Sequence, residues 1–177
     1  MTELRFETLS LPAARLGPED PFPPLHSLRG VAKEVTVDPS VPEEDRQYIG
    51  YGLDAGCLPY GLQEHYDRDR RVRELPVAVL ENERLRAVFL TGLGGRLWSL
   101  YDKSGGRELL DVNPVFQPAN LAVRDAWFSG GVEWNVSIRG HTPFTCSPLF
   151  VATVSAADGS PVLRMYEWER ARQVPFQ

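Results

Sequence analysis

LPVAVLENERLRAVFLTGLGGRLWSLYDK, residues 75–103, decides the fold of this chain. It divides into three β-rich segments: LPVAVLEN, LRAVFLTG and GGRLWSLYDK. Glu81-Asn82-Glu83-Arg84 separates the first pair, and Gly92–Gly95 separates the second. Short polar or glycine-rich breaks between apolar, β-branched runs are the spacing of hairpins, so the stretch predicts an antiparallel meander.

Working outward toward the C-terminus, KSGGRE reads as a turn and RELLD as another short strand. VEWNVSIR and SPLFVATVS are further strand candidates. Ala157-Asp158-Gly159-Ser160 is a turn signal ahead of PVLRMYEWERARQ, which places Val162, Arg164, Tyr166 and Trp168 on one parity. A helix over 164–172 competes, but the DGSP turn favours a hairpin strand. The chain stops at VPFQ in what reads as mid-strand. The expectation is the N-terminal part of a longer protein, with open sheet edges through which copies could associate as a homo-oligomer.

Toward the N-terminus, LRFETLSL (residues 4–11) alternates and ends at Pro12, as a strand does. Pro18, Pro21, Pro23 and Pro24 make residues 17–30 an extended arm, because that density excludes a helix interior and a central strand. VAKEVTV (31–37) reads as a short strand, PSVPEEDRQ as a polar connection and 48–62 as an irregular loop with aromatic anchors. The mixed charge run QEHYDRDRRVRE (63–74) reads as a solvated turn or short helix. The organisation is therefore residues 1–74, strand, proline-rich arm and loops, followed by residues 75–177, a β-sandwich, in one structural unit. Many short strands with Gly/Pro turns give an all-β fold of antiparallel sheets, sandwich or barrel.

Composition narrows function by exclusion. The chain has 177 residues, is 42 % hydrophobic and 24 % charged, and carries a net charge of −5. That balance is ordinary for a soluble domain and argues against nucleic acid, which selects basic faces. Cys57 and Cys146 are too far apart for a zinc or CxxC motif, and a reduced pair is the reading over a disulfide. No signal peptide and no apolar run of membrane-spanning length is visible, so the expectation is a cytoplasmic protein with no membrane partner. The three histidines are too scattered for a metal motif, and no nucleotide or nucleophile-elbow motif occurs. No metal or cofactor is expected.

The chemistry concentrates in residues 113–148, NPVFQPANLAVRDAWFSGGVEWNVSIRGHTPFTCSP. Arg124, Trp127, Glu133, Asn135 and His141 fall within it. Aromatic faces beside planar hydrogen-bonding groups suit a polar ring such as a sugar. On an extended VEWNVS strand, Glu133 and Asn135 share a face and Trp134 takes the other. The favoured arrangement puts the polar pair in a cleft and Trp134 in the core. Gly130 and Gly131 suit a bulge, a close approach to ligand or a simple turn. Arg124 either holds a ligand or bridges to Asp125 or Glu133, and the bridge is favoured. His141 is the best candidate for proton transfer, since an imidazole titrates near neutrality.

GGRLWSLYDKSGGRELL resembles the opening hairpin of galactose-mutarotase-like proteins. Its continuation through AWFSGGVEWN and GHTP resembles a family of bacterial domains of unknown function found N-terminal to tetratricopeptide repeats. The resemblance covers residues 75–177. It implies a β-supersandwich whose concave face binds carbohydrate. The mutarotase catalytic Glu falls beyond this chain and the Asn-His motif is missing, so no catalytic pair carries over. Glu133 and His141 stand as catalytic candidates, and Arg124, Trp127 and Asn135 as ligand-binding ones, on local pattern alone. The functional expectation is a carbohydrate-recognising domain, with acid–base chemistry at an anomeric centre as one form of it. The alternative is a non-catalytic interaction or structural domain of a larger repeat protein.

Overall fold

A computed structural model of the chain describes residues 1–23, 37–46, 58–136, 141–171 and 173–177. Five strands form the largest sheet: β1 (Glu3–Ala13), β2 (Arg71–Glu81), β3 (Leu85–Leu90), β4 (Arg96–Asp102) and β5 (Arg107–Glu108), in that order and antiparallel throughout. The 75–103 meander stands as the spacing predicted. Asn82 turns the first hairpin, its side chain accepting from the Arg84 and Leu85 amides. A bulge between Val88 and Phe89 shifts the β3–β4 register.

Three expectations change here. The 63–74 charge run is not all turn or helix. Its end, Arg71–Glu74, opens β2 and pairs with Ser10–Ala13 of β1, while Arg73 donates to the Ala13 carbonyl. Ladder bonds come from the backbone, so a charged stretch can be strand when a neighbour supplies the partner. Pro12 does not end β1, because it lies on an edge strand where a missing N–H costs little. RELLD narrows to the two residues of β5.

A second sheet orders β10 (Val174–Phe176), β9 (Pro161–Glu169) and β8 (Phe150–Ser155). The strand reading of 161–169 therefore holds over the helix. A two-stranded ribbon, β6 (Ala119–Ala122) with β7 (Asp125–Trp127), lies inside the 113–148 block. The described helix is a single turn, α1 (Glu43–Arg46), and no helix among the described residues is long and apolar enough to cross a membrane. Of the proline-rich arm, residues 17–23 are irregular and mostly exposed. The rest of the arm, residues 31–36 of the predicted 31–37 strand and residues 48–57 of the 48–62 loop, with Cys57, lie outside the described residues.

Val77, Val79, Val88, Leu90 and Trp98 share one face of the large sheet and pack against Phe116, Phe128 and Cys146. Phe116 meets Phe128 edge-on at 4.9 Å. A buried side chain of this size contributes about 2–3 kcal/mol of transfer free energy. A smaller cluster of Tyr60, Phe144 and Leu149 with Met165 and Phe176 joins the 142–149 segment to β9 and β10. Burial pushes the Tyr60 hydroxyl well above its ordinary range. It donates to Glu169 and accepts from the Arg170 amide.

Candidate functional site

The VEWNVS stretch is not a strand. Val132 makes one antiparallel bridge to Leu97, residues 133–136 are irregular, and 137–139 lie outside the described residues. Gly130 (φ 106°) and Gly131 (φ 63°) turn the chain out of extended conformation. Gly131 also abuts β4: a Cβ there would stand 2.2 Å from the Leu97 carbonyl oxygen. The parity argument for Trp134 fails with the strand. Its ring is not core but 39 % exposed, and its Nε1 donates to the Gly95 carbonyl at 2.8 Å.

Glu133 is the centre of the cluster that does form. Its Oε2 lies 2.7 Å from His141 Nδ1 and accepts from Trp127 Nε1 at 3.2 Å. The Trp127 and His141 rings are 5.4 Å apart. Arg96 approaches the same carboxylate at 3.9 Å. Burial by itself would raise the Glu133 carboxyl. Hydrogen bonds from His141, Trp127 and Thr145, with the Arg96 charge, outweigh it and hold the group below its ordinary 4.5. Three of the predicted residues are thus brought together, and the Glu133 carboxylate is held ionised.

Arg96 has the same chemistry but was not among the sequence candidates. It is 3 % exposed, donates to the Phe128 and Gly130 carbonyls and to Thr145 Oγ1, and lies 3.9 Å above the Phe128 ring. The Gly-Gly-Arg string marked a hairpin. That its guanidinium turns inward depends on the 128–130 carbonyls, which are distant in sequence.

Arg124 and Asn135 go elsewhere. Arg124 is buried and bridges neither Asp125 nor Glu133. It donates to the Gly61 and Pro143 carbonyls and to Ser147 Oγ, and its Nη2 lies 2.6 Å from Glu19 as an ion pair off the hydrogen-bond line. With a buried guanidinium committed this way, Arg124 acts as a staple between loops. Asn135 is exposed, and its Oδ1 accepts from the Thr142 amide. Asn135 and Glu133 therefore both anchor the start of the 141–147 loop. His141 occupies left-handed backbone (φ 24°), unusual for a non-glycine residue, and is 36 % exposed. Its Nε2 has no hydrogen-bond partner among the described residues.

A cleft of about 390 Å³ lies beside this cluster, lined chiefly by Trp134, Phe144, Leu149, Leu163, Met165 and Phe176. Its lining is predominantly apolar. Elsewhere, Asp20, Glu64 and His65 bring one ligand-type atom each within 4.8 Å of one another among the described residues. His65 Nε2 already bonds Asp20 at 2.7 Å on an exposed surface.

Fold and cluster together define an all-β domain of antiparallel sheets whose loop 141–147 is fastened by a part-buried carboxylate and two arginines. The chain belongs to the family described as domain of unknown function DUF5107, whose model matches residues 53–175. It is similar in structure to a TPR-domain-containing protein from Parabacteroides distasonis, with a TM-score of 0.66 and 20 % identity over 95 % of this chain. The chain spans 24 % of the length of that protein, and the likeness is one of fold.

Proposed function

We propose that the domain recognises carbohydrate at the rim formed by His141, Trp127 and Asn135. The observation that carries this reading is the Glu133–His141 bond. It fixes the imidazole orientation beside an indole face, on strained backbone, and leaves Nε2 to meet a ligand hydroxyl. Ring faces for an apolar side and oriented polar atoms for hydroxyls are what a sugar ring requires. The resemblance of GGRLWSLYDKSGGRELL to the opening hairpin of galactose-mutarotase-like proteins points the same way.

The geometry favours binding over turnover. Acid–base chemistry with Glu133 and His141 flanking a ring needs room between them, and they are in hydrogen-bond contact. Glu133 serves better as the group that orients His141, which leaves His141 as the one proton-transfer candidate.

A glycan-array screen with His141→Ala as the control tests the proposal. Saturable binding to a glycan, weakened about tenfold or more by the substitution, is expected for the loss of an oriented hydrogen bond and a ring contact. No binding, or binding indifferent to His141, Trp127 and Asn135, would remove carbohydrate recognition from this rim. The interaction-domain alternative draws on a separate observation, the exposed Phe150, Tyr166 and Trp168 on the outer face of the second sheet.

A further inference from the structure

The hydrogen bonds around Glu133 all run in one direction. An indole nitrogen has only a proton to give, and Trp127 Nε1 gives its proton to Oε2 at 3.2 Å. Arg96, from β4, donates to Thr145 Oγ1 at 2.9 Å, and the Thr145 hydroxyl in turn bonds the Glu133 carboxylate. The Arg96 guanidinium itself stands 3.9 Å from Oε2. The other carboxylate oxygen, Oε1, is buried and has no hydrogen-bond partner among the described residues. A proton placed on Oε1 would be a buried donor with nothing to receive it. A carboxyl ringed by donors and faced by a guanidinium keeps no proton of its own. In the 2.7 Å contact between Oε2 and His141 Nδ1, the proton therefore sits on the nitrogen.

We infer that Glu133 is a positioning residue that fixes His141 in the Nδ1–H form, so that with the ring neutral Nε2 is a hydrogen-bond acceptor and the rim selects ligands that donate to it. Within the carbohydrate reading, on which this rests, the ligands of choice are neutral glycans with a free hydroxyl at the rim. A uronic-acid carboxylate only accepts, and it would set its oxygen against the Nε2 lone pair. The same polarity governs proton transfer. A neutral His141 can take a hydroxyl proton at Nε2, with the charged ring held by Glu133, and it has none to give there. The Nε2 edge can meet a ligand because the side chain is 36 % exposed, whereas Glu133 at 12 % is largely covered.

The test is a long-range proton–nitrogen NMR correlation of the 177-residue chain labelled with nitrogen-15, at a pH where the imidazole is neutral. The His141 signals are identified by their loss in His141→Asn. The expected pattern is a protonated Nδ1 with a bare Nε2. In Glu133→Ala the ring should lose this preference and populate the Nε2–H form. A protonated Nε2 in the parent would overturn the inference, with no variant needed. An Nδ1–H ring that persists unchanged in Glu133→Ala would overturn the role given to Glu133. A glycan array at the same pH reads the ligand class: neutral hexose ends should bind about tenfold or more tighter than the matching uronic-acid ends. The opposite ranking would overturn the selection of donors. An Nδ1–H ring with no glycan bound would sink the carbohydrate reading and uphold the polarity of the rim.

Discussion

Arg96 connects the large sheet, the Phe128–Gly130 backbone and the 141–147 loop through one guanidinium. Burial pulls that group below its ordinary range, against the pull of the Glu133 charge. Replacing it with an apolar side chain strands two carbonyls, a hydroxyl and the neighbouring carboxylate together. Arg96→Met is therefore expected to destabilise the domain by about 3 kcal/mol in urea unfolding, the range for removing one member of a buried charged network. Glu133 gives a pH signature from the same cluster. Its folded carboxyl titrates below 4.5, so the unfolded chain binds more protons in acid. Its stabilisation is complete above about pH 4.5 and is lost as pH falls through the folded value. Glu81 adds to the same acid limb: hydrogen bonds from Arg5 and then Lys103 pull it down to about 2. Stability measured against pH should fall below 4.5 in the parent, and the fall should be shallower in Glu133→Gln. An unchanged slope in that variant would mean that Glu133 is not held in the ionised form.

At the scale of elements, the decisive join is the Val132–Leu97 bridge, where the irregular 130–136 segment fastens to β4 by two backbone hydrogen bonds. Gly131 makes it possible. Its φ of 63° and its contact with the Leu97 carbonyl leave no place for a Cβ. Gly131→Ala is expected to cost about 2–3 kcal/mol in denaturant unfolding, combining left-handed strain with displacement of β4 backbone. Because Glu133 is two residues on, the same change should also release His141, seen as altered exchange or chemical shift of the imidazole. A variant as stable as the parent would show that the segment does not seat against β4 in this way.

At the scale of the molecule, the family match begins at residue 53, yet the large sheet begins at residue 3. β1 pairs with β2 along all eleven residues, and Leu11, Ala13 and Ala14 are buried. Deleting residues 1–14 removes an entire edge strand and uncovers core, so the shortened chain is expected to lose cooperative thermal unfolding by circular dichroism. Retention of a sharp transition would make β1 an accessory strand.

The sequence by itself determined the antiparallel meander, the 161–169 hairpin strand and the all-β class, because alternation and turn residues act locally. It also named Glu133, Trp127 and His141, which the fold brings into one hydrogen-bonded cluster. It misplaced Trp134, gave Arg124 the wrong bridge partners, and did not assign Arg96 or the charged start of β2. Each of these depends on a partner far along the chain: the Gly95 carbonyl for Trp134, the 128–130 carbonyls for Arg96, Glu19 and Ser147 for Arg124, and β1 for Arg71–Glu74. Only tertiary structure decides such contacts, because hydrogen-bond partners for buried polar groups and edge strands are set by what folds against them.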